Sequence, residues 1–490
     1  MKTDFSIPQE VSYVTETLEK AGFEAFLVGG CVRDMILDRE PKDWDVTTNA
    51  VPEQIISLFT ETFYENKFGT VGIVNKETEN PNLKVVEVTP YRIESDYSDN
   101  RHPDTVIFSQ KIEDDLQRRD FTMNSLAYSV SDKKVIDLYG GQQDIKDKVI
   151  RTVGNPDSRF TEDGLRILRA IRFKADIGFD IAPETEKSIL ENGHLLENIS
   201  RERIRDEFTK LVMSRDPMGG LLAMQKCGLL SYVVPELEET IGVEQNKAHS
   251  YHVWEHLLRS VQHAADKDYP LEIRLTALFH DISKPASRRW GKEQNQWTFY
   301  GHEVLGARTA KKILTDLKYP TKIIEKVTKL VRWHMFFSDT EQITLSAVRR
   351  MIVNVGRDNI WDLMNVRICD RIGTGRPKED PYRLRKYHAM IEEALRDPIS
   401  VGMLKINGKT MMEKLGITPG PVIGFTLHAL LEEVLEDPTK NTEEYLEKRA
   451  RELVALPFDE LKRLGEEGKE TKAEADEKKK KKIRGKHWVK

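Results

Sequence analysis

A chain of 490 residues, 39% hydrophobic and 32% charged, has apolar material for three or four domains and suits a soluble, largely helical protein. It has no uninterrupted apolar run of membrane-spanning length, and the polar opening MKTDFSIPQE is no signal peptide. Three scattered cysteines, Cys31, Cys227 and Cys369, exclude a disulfide framework and fit a reducing cytoplasm, and nothing implies a membrane or a protein partner. The net charge of −5 argues against nucleic-acid binding through bulk charge, so any such binding needs a local basic stripe.

The first elements alternate. Residues 9–21 read as a helix ending at Gly22, 23–28 as a strand, 32–37 as a short helix and 43–48 as a second strand. Residues 71–74 and 83–89 read as further strands, giving a small mixed sheet with helices on it. Strand character fades after Leu138. From about residue 160 the apolar spacing is helical nearly to the end, in blocks over about 160–245, 246–372 and 375–460 broken by Pro and Gly. The fold class expected is α+β: a small mixed β-sheet head followed by all-helical domains. From Glu466 the composition turns to Glu, Lys and Ala, the signature of disorder. The last 13 residues hold eight Lys or Arg and no acid, so the rest of the chain is more acidic than the whole.

The head carries the densest chemistry. Leu27-Val28-Gly29-Gly30-Cys31-Val32-Arg33-Asp34 is followed by Asp43-Trp44-Asp45. Carboxylates at i and i+2 on a strand point to one face and can hold a pair of Mg²⁺ ions that align an attacking oxygen with a nucleotide's α-phosphate. The Gly-Gly turn lets backbone approach a triphosphate. A lone D-x-D is usually a solvated surface pair; the spaced set of strand, Gly-Gly, helix and D-x-D points to nucleotidyl transfer. Glu87, in the alternating stretch 84–88, is a third metal acid or equally a solvent-facing glutamate.

Arg118-Arg119-Asp120-Phe121-Thr122 sits at the start of a strand or helix. Its arginines suit triphosphate oxygens, and Asp120 suits a ribose hydroxyl; a surface ion-pair cluster is the plain alternative. Glu162-Asp163-Gly164-Leu165-Arg166 opens a helix on which Asp163 and Arg166, at i and i+3, share a face. A carboxylate accepts from the exocyclic amine of cytosine or adenine, and a guanidinium donates to the ring nitrogen beside it, whereas uracil and guanine present the opposite pattern. One Asp–Arg pair would therefore take C and A and refuse U and G without a nucleic-acid template. On spacing alone an ordinary helix salt bridge, worth about 0.3–0.5 kcal/mol, is the better reading. At 199–207 a helix starts with Ser200 at its cap and a basic first turn, where Arg203 reaches phosphate or stays solvated.

Taken together and in this order, LVGGCVRD with DWD, RRDFTMNSLAY, IDLYGGQQDIKDKVIRTVG, EDGLRILRAIRF and ISRERIRDEF resemble the bacterial-type class II tRNA nucleotidyltransferases, the CCA-adding enzymes and poly(A) polymerases. The resemblance is dense over residues 20–215. It implies a nucleotidyltransferase head (1–150), a helical base-selecting and RNA-binding neck (151–245), an HD-type helical body (246–372), a tRNA-binding tail (373–465) and a disordered Lys-rich end (466–490). It implies Asp43 and Asp45 as catalytic Mg²⁺ ligands that activate the RNA 3′-hydroxyl. Gly29, Gly30, Arg33, Arg118, Arg119, Asp120 and Arg169 would form the nucleotide site, with Asp163 and Arg166 as the amino-acid template oriented by Glu162. Asp137 and the Gly140-Gly141 turn would form the hinge from head to neck. The partners implied are tRNA, gripped at acceptor stem and elbow, and CTP and ATP.

CC-only relatives look shortened between the acidic strand and RRDFT; residues 91–104 here look full length, favouring complete or A-only addition. Poly(A) polymerases share the head and remain an alternative, as does an HD phosphohydrolase whose head merely binds nucleotide.

Residues 246–372 hold His252, His256, His280-Asp281, His302, His334 and Asp370, and LTALFHDISKP resembles HD-type metal phosphohydrolases. His and Asp suit divalent transition metals, and the adjacent His280-Asp281 pair puts two ligands on one helical turn. His256, His280, Asp281 and Asp370 are the core set, with His302 and His334 completing a dinuclear site; any one of these histidines alone is more often structural. A phosphoester at an RNA 3′ end, such as a 2′,3′-cyclic phosphate, is the substrate expected. The segments 404–408 and 417–424 resemble the tail of these enzymes, where turn amides approach phosphate or simply make turns. The lysine-rich end adds salt-dependent RNA affinity or only solubility.

Overall fold

The computed structural model describes residues 4–64, 69–95, 105–246, 250–293, 295–335, 344–395, 402, 404–436 and 438–466. Most of the 91–104 stretch and all of the Lys-rich end after Glu466 lie outside the described residues. No helix among the described residues is long and apolar enough to cross a membrane.

The head is a seven-stranded sheet. In chain order its strands are β1 (Ala25–Val28), β2 (Asp45–Thr48), β3 (Thr62–Tyr64), β4 (Val71–Val74) and β5 (Val85–Pro90). A separate hairpin of β6 (Arg92–Ser95) and β7 (Thr105–Phe108) follows, then β8 (Leu126–Ser129) and β9 (Lys134–Asp137) return to the sheet. The order across it is β3-β4-β5-β2-β1-β8-β9, with only β2 and β5 parallel. Strand β2 is the middle one, and beside it β1 buries Leu27 and Val28 between β2 and β8. A helix over Gln9–Lys20 packs Val11, Val14 and Leu18 into the same core, and Gly22 (φ +88) follows its end.

Several boundaries differ from the sequence reading. Strand β2 begins at Asp45, not 43, because the ladder to β5 starts there and that to β1 one residue later. Strand β5 begins at Val85 because Pro81–Leu83 form a 3₁₀ turn whose Asn80 side chain accepts from Asn82 N. The short helix starts at Gly30, straight out of the glycine turn. Strands β3 and β6 to β9 carried no alternation strong enough to be read.

From Val149 on, the strands among the described residues form two small pairs in an otherwise helical stretch, β10 (Val149–Ile150) with β11 (Asp180–Ile181), and the hairpin β12 (Arg289–Gly291) with β13 (Gln296–Thr298). The central neck helix, Leu165–Ile177, buries Ile167, Leu168, Ala170, Ile171 and Phe173 and ends on Gly178 in the left-handed conformation. One continuous core runs from the head through the neck into the helices around residues 253–331.

Contacts divide the chain into two compact units: residues 1–334 with 365–376, and 335–364 with 377–490. Both candidate centres lie in the first unit. The second has its own core, built from Leu404, Ile406, Met411, Leu430, Leu446 and their neighbours.

Candidate active site and metal cluster

The first centre opens where β1 ends. Gly29 turns the chain with φ +80, a conformation that strains any L side chain, and a Cβ there would lie 2.9 Å from Arg119 Nη1 and 3.9 Å from Asp45 Oδ2. The glycine turn, the acidic strand and the arginine pair therefore converge, 90 residues of chain apart. They line a cleft of about 870 Å³ that includes Gly29, Gly30, Arg33, Asp43, Asp45 and Arg119. Asp43 sits in a bend before β2, so the strand argument for paired carboxylates does not apply to it. Buried Trp44 separates exposed Asp43 from half-buried Asp45, and both acids still reach the cleft. Glu87 is exposed and stands beside Asp45 in the parallel ladder.

Arg118 and Arg119 end a helix (Ile112–Gln117) rather than start an element. Buried Asp115 holds both: its Oδ1 accepts from Arg118 Nε at 3.0 Å and its Oδ2 from Arg119 Nη2 at 2.9 Å. Burial alone would raise the Asp115 pKa, but the two guanidiniums hold it down at about 2. Asp120 is already fully engaged. Its Oδ1 accepts from Phe121 N at 2.8 Å and Asn124 Nδ2 at 3.1 Å, and its Oδ2 from Arg169 Nε at 2.7 Å. Against burial, Arg169 and Asn124 keep its pKa at about 2. Asp120 is thus a tie between head and neck helix rather than an open acceptor for ribose. Arg33 is likewise committed, to Asp34 at 2.9 Å and Asn124 at 2.8 Å.

Asp163 and Arg166 do not share a helix face. Asp163 ends the helix Pro156–Glu162 in an extended conformation (φ −146), and Arg166 lies in the first turn of the next helix. Asp163 accepts from Leu165 N at 3.1 Å and from Arg203 Nη2 at 2.7 Å. Arg166 donates to Glu162 Oε2 at 2.6 Å and to the carbonyls of Arg159 (3.0 Å) and Arg118 (3.1 Å). Glu162 thus orients Arg166, and Arg203, not Glu162, holds Asp163. Both face a cavity of about 250 Å³ with Arg118, Arg119 and Arg169. Ser200 occupies the helix N-cap without a side-chain capping bond.

The second centre draws six buried residues together from helices or helix ends spread over residues 253–373. His256, His280, Asp281 and Asp370 have ligand atoms within 4.8 Å of one another, as do Asp281, His302 and His334. Asp281 joins the two groups: Oδ2 lies 3.1 Å from His256 Nε2, and Oδ1 lies 3.1 Å from His302 Nε2. The Nδ1 atoms of His280, His302 and His334 lie 2.9, 2.6 and 2.7 Å from the carbonyls of Ala277, Phe299 and Val331. Donation there fixes the tautomer and leaves every Nε2 lone pair facing the carboxylates, the arrangement a metal-ligating histidine takes. Burial opposes charge on Asp281, yet the Lys284 ammonium holds its carboxyl well below the ordinary range. The set of imidazole nitrogens and bridging carboxylate fits divalent metal. His252 caps the helix Val253–Asp266 and lies outside both groups.

Three family models match in series: the poly A polymerase head domain over residues 25–151, a probable RNA and SrmB-binding site of polymerase A over 178–241, and the HD domain over 248–372. The CCA-adding enzyme of Geobacillus thermodenitrificans is 31% identical over 447 residues, 89% of this chain and 95% of that one. The chain belongs to the CCA-adding enzyme family. It is therefore an enzyme of the tRNA nucleotidyltransferase class. The crystal structure of the Bacillus stearothermophilus CCA-adding enzyme, in complex with CTP, aligns at a TM-score of 0.58 with 27% identity, covering 91% of this chain and 98% of that one. The Thermotoga maritima CCA-adding enzyme, solved with tRNA, shares the fold at a TM-score of 0.50 and 20% identity, over 90% and 94% of the two chains.

Within this CCA-adding family member, the sequence reading passed over Asp115, Asn124 and Lys284. Asp115 precedes the arginines at the helical spacings i+3 and i+4, a signal that could have been used. Lys284, one helical turn after Asp281, lies 2.6 Å from its Oδ2. Gly373 also matters: a Cβ there would lie 2.1 Å from Ser260 Oγ and 2.8 Å from the His256 carbonyl. Gly373→Ala is expected to push the Asp370 helix off His256 and weaken metal binding about 10- to 100-fold, read as metal retained after gel filtration, with nucleotide addition kept.

Proposed function

We propose that the chain adds C, C and A to the 3′ end of tRNA from CTP and ATP, without a nucleic-acid template. One observation carries this reading: the acid-lined cleft and the Asp163–Arg166 cavity adjoin, sharing Arg119, Asp120 and Arg169. A triphosphate laid along the shared arginines would have its α-phosphate toward Asp43 and Asp45 and its base toward Asp163 and Arg166. The hard oxygen donors of Asp43 and Asp45 suit Mg²⁺, which when bound supplies charge stabilisation at phosphorus. Arg118 and Arg119, pre-oriented by Asp115, fork onto phosphate oxygens. Asp163, aimed by Arg203, takes the exocyclic amine of C or A, and Arg166, locked by Glu162, donates to the neighbouring ring nitrogen.

The functional blocks we assign are a head (1–150), a neck (151–245), an HD-type block (246–372) and a tail (373–465), the last three gripping tRNA by shape at acceptor stem and elbow. We place the enzyme in the cytoplasm, in keeping with three buried cysteines held as thiols. Incubating tRNA that lacks its terminus with labelled CTP, ATP, UTP and GTP, separately and together, tests the activity: products lengthened by C, C and A support it. Continued addition of A to a tRNA ending in CC would mark a poly(A) polymerase instead, and addition of A alone an A-adding enzyme.

The six-residue cluster supports a second reading, a divalent transition-metal phosphohydrolase acting on phosphoesters at RNA 3′ ends, independent of nucleotide addition. His280→Ala is expected to abolish metal retention and phosphoester hydrolysis while leaving nucleotide addition within about two-fold, because the two centres share no residue. Loss of addition would refute their independence.

A further inference from the structure

We propose that the hairpin of β12 and β13 is a base-stacking platform, which directs the His–Asp cluster to phosphoesters carried on unpaired nucleotides. This rests on reading that cluster as a phosphohydrolase centre.

The hairpin is tied to the cluster at both ends. It leaves the short helix of Lys284, whose Nζ lies 2.6 Å from Asp281 Oδ2, and it returns through Phe299, whose carbonyl lies 2.6 Å from His302 Nδ1. Tyr300 stands two residues before the ligand His302, so their Cα atoms are within about 7 Å. Trp290 and Trp297 are cross-strand partners, their rings edge to face at 5.1 Å. The Arg288 guanidinium covers the Trp297 ring at 3.7 Å, and Glu244 fixes that stack by accepting from Arg288 at 3.2 Å and from Trp297 Nε1 at 3.3 Å. The braced pair leaves Trp290 51% exposed and Tyr300 81% exposed, with Arg288, Arg289 and Lys292 close by in the chain.

Rigid exposed rings among cations, beside a phosphoester centre, match a ligand that is aromatic at one end and anionic at the other. A nucleotide is that ligand: its base stacks on the indole and phenol, and its phosphate reaches the cluster. A base in a duplex offers no free face, so the ligand is single-stranded or mononucleotide. Hydrolysis there breaks the P–O ester bond; water gives its oxygen to phosphorus and a proton to the leaving ribose hydroxyl.

The test compares adenosine 2′-monophosphate with glycerol 2-phosphate, both secondary alkyl monoesters, on Mn²⁺-loaded full-length protein. Trp290→Ala is expected to raise KM about 10-fold or more for the nucleotide, with kcat kept and glycerol phosphate turnover unchanged. Equal effects on both esters, or none on either, overturn the platform. Should the parent protein hydrolyse neither ester, the phosphohydrolase reading fails, and the platform is judged by titrating single-stranded oligoadenylate. Fluorescence quenching lost in Trp290→Ala supports it, and equal quenching in parent and variant overturns it. Nucleotide addition by the variant reports that it folds.

Discussion

Asp45→Ala is expected to lower the rate of nucleotide addition from both CTP and ATP at least ~10³-fold, with triphosphate binding weakened far less. Asp45 opens β2 beside the glycine turn, its Oδ2 3.9 Å from where a Gly29 Cβ would sit. A carboxylate at that spot would hold the Mg²⁺ whose charge offsets what develops around phosphorus, a contribution larger in the transition state than in the resting nucleotide. Its loss therefore falls on kcat, and ~10³-fold corresponds to about 4 kcal/mol of transition-state stabilisation. Single-turnover incorporation and equilibrium CTP binding separate the two effects. Asp43→Ala should behave alike, because it lines the same cleft. Glu87→Ala should cost much less: it neighbours Asp45 in the ladder but, unlike Asp43, is not among the residues lining the cleft. A Glu87 effect as large as that of Asp45 would make the site a three-carboxylate one, and full activity in Asp45→Ala would dismiss the metal assignment.

The sequence made this centre readable because its chemistry is local. Gly-Gly after an apolar run, then D-x-D, is set by backbone strain and strand pairing within about 20 residues. The same holds for His280-Asp281, adjacent on one helical turn, and the other four members of the cluster followed only from a resemblance in their order. What stayed hidden lies in contacts between distant residues. Asp120 looked like a free ribose acceptor, yet Arg169, 49 positions on, fills one of its oxygens. Arg33 lines the cleft, but the bond to Asn124, 91 positions on, that holds it there was not readable from the sequence. The i, i+3 spacing of Asp163 and Arg166 suggested a shared helix face, and the helix break at Asp163–Gly164 removed it. Strand β3 was missed for a different reason: it spans only three residues, too few for alternation to register.

That helix break bears directly on base selection. An Asp–Arg pair facing each other would neutralise itself and present little to a base. Here each member is bonded elsewhere, Asp163 to Arg203 at 2.7 Å and Arg166 to Glu162 at 2.6 Å, and both border one cavity. Removing either side chain should therefore cost discrimination more than rate. Asp163→Ala and Arg166→Ala are each expected to reduce the preference for C over U and A over G by ~10- to 100-fold, about 1–3 kcal/mol for a paired hydrogen-bond readout. The measurement is kcat/KM for each of the four triphosphates on tRNA lacking its terminus. Arg203→Lys supplies the finer test. Lysine keeps a positive charge beside Asp163 but loses the planar fork that aims it, so selectivity should fall part-way while addition of C survives. If Asp163→Ala kept its full C and A preference, the base would have to be read by other groups, and the cavity between the two helices would be a triphosphate site only.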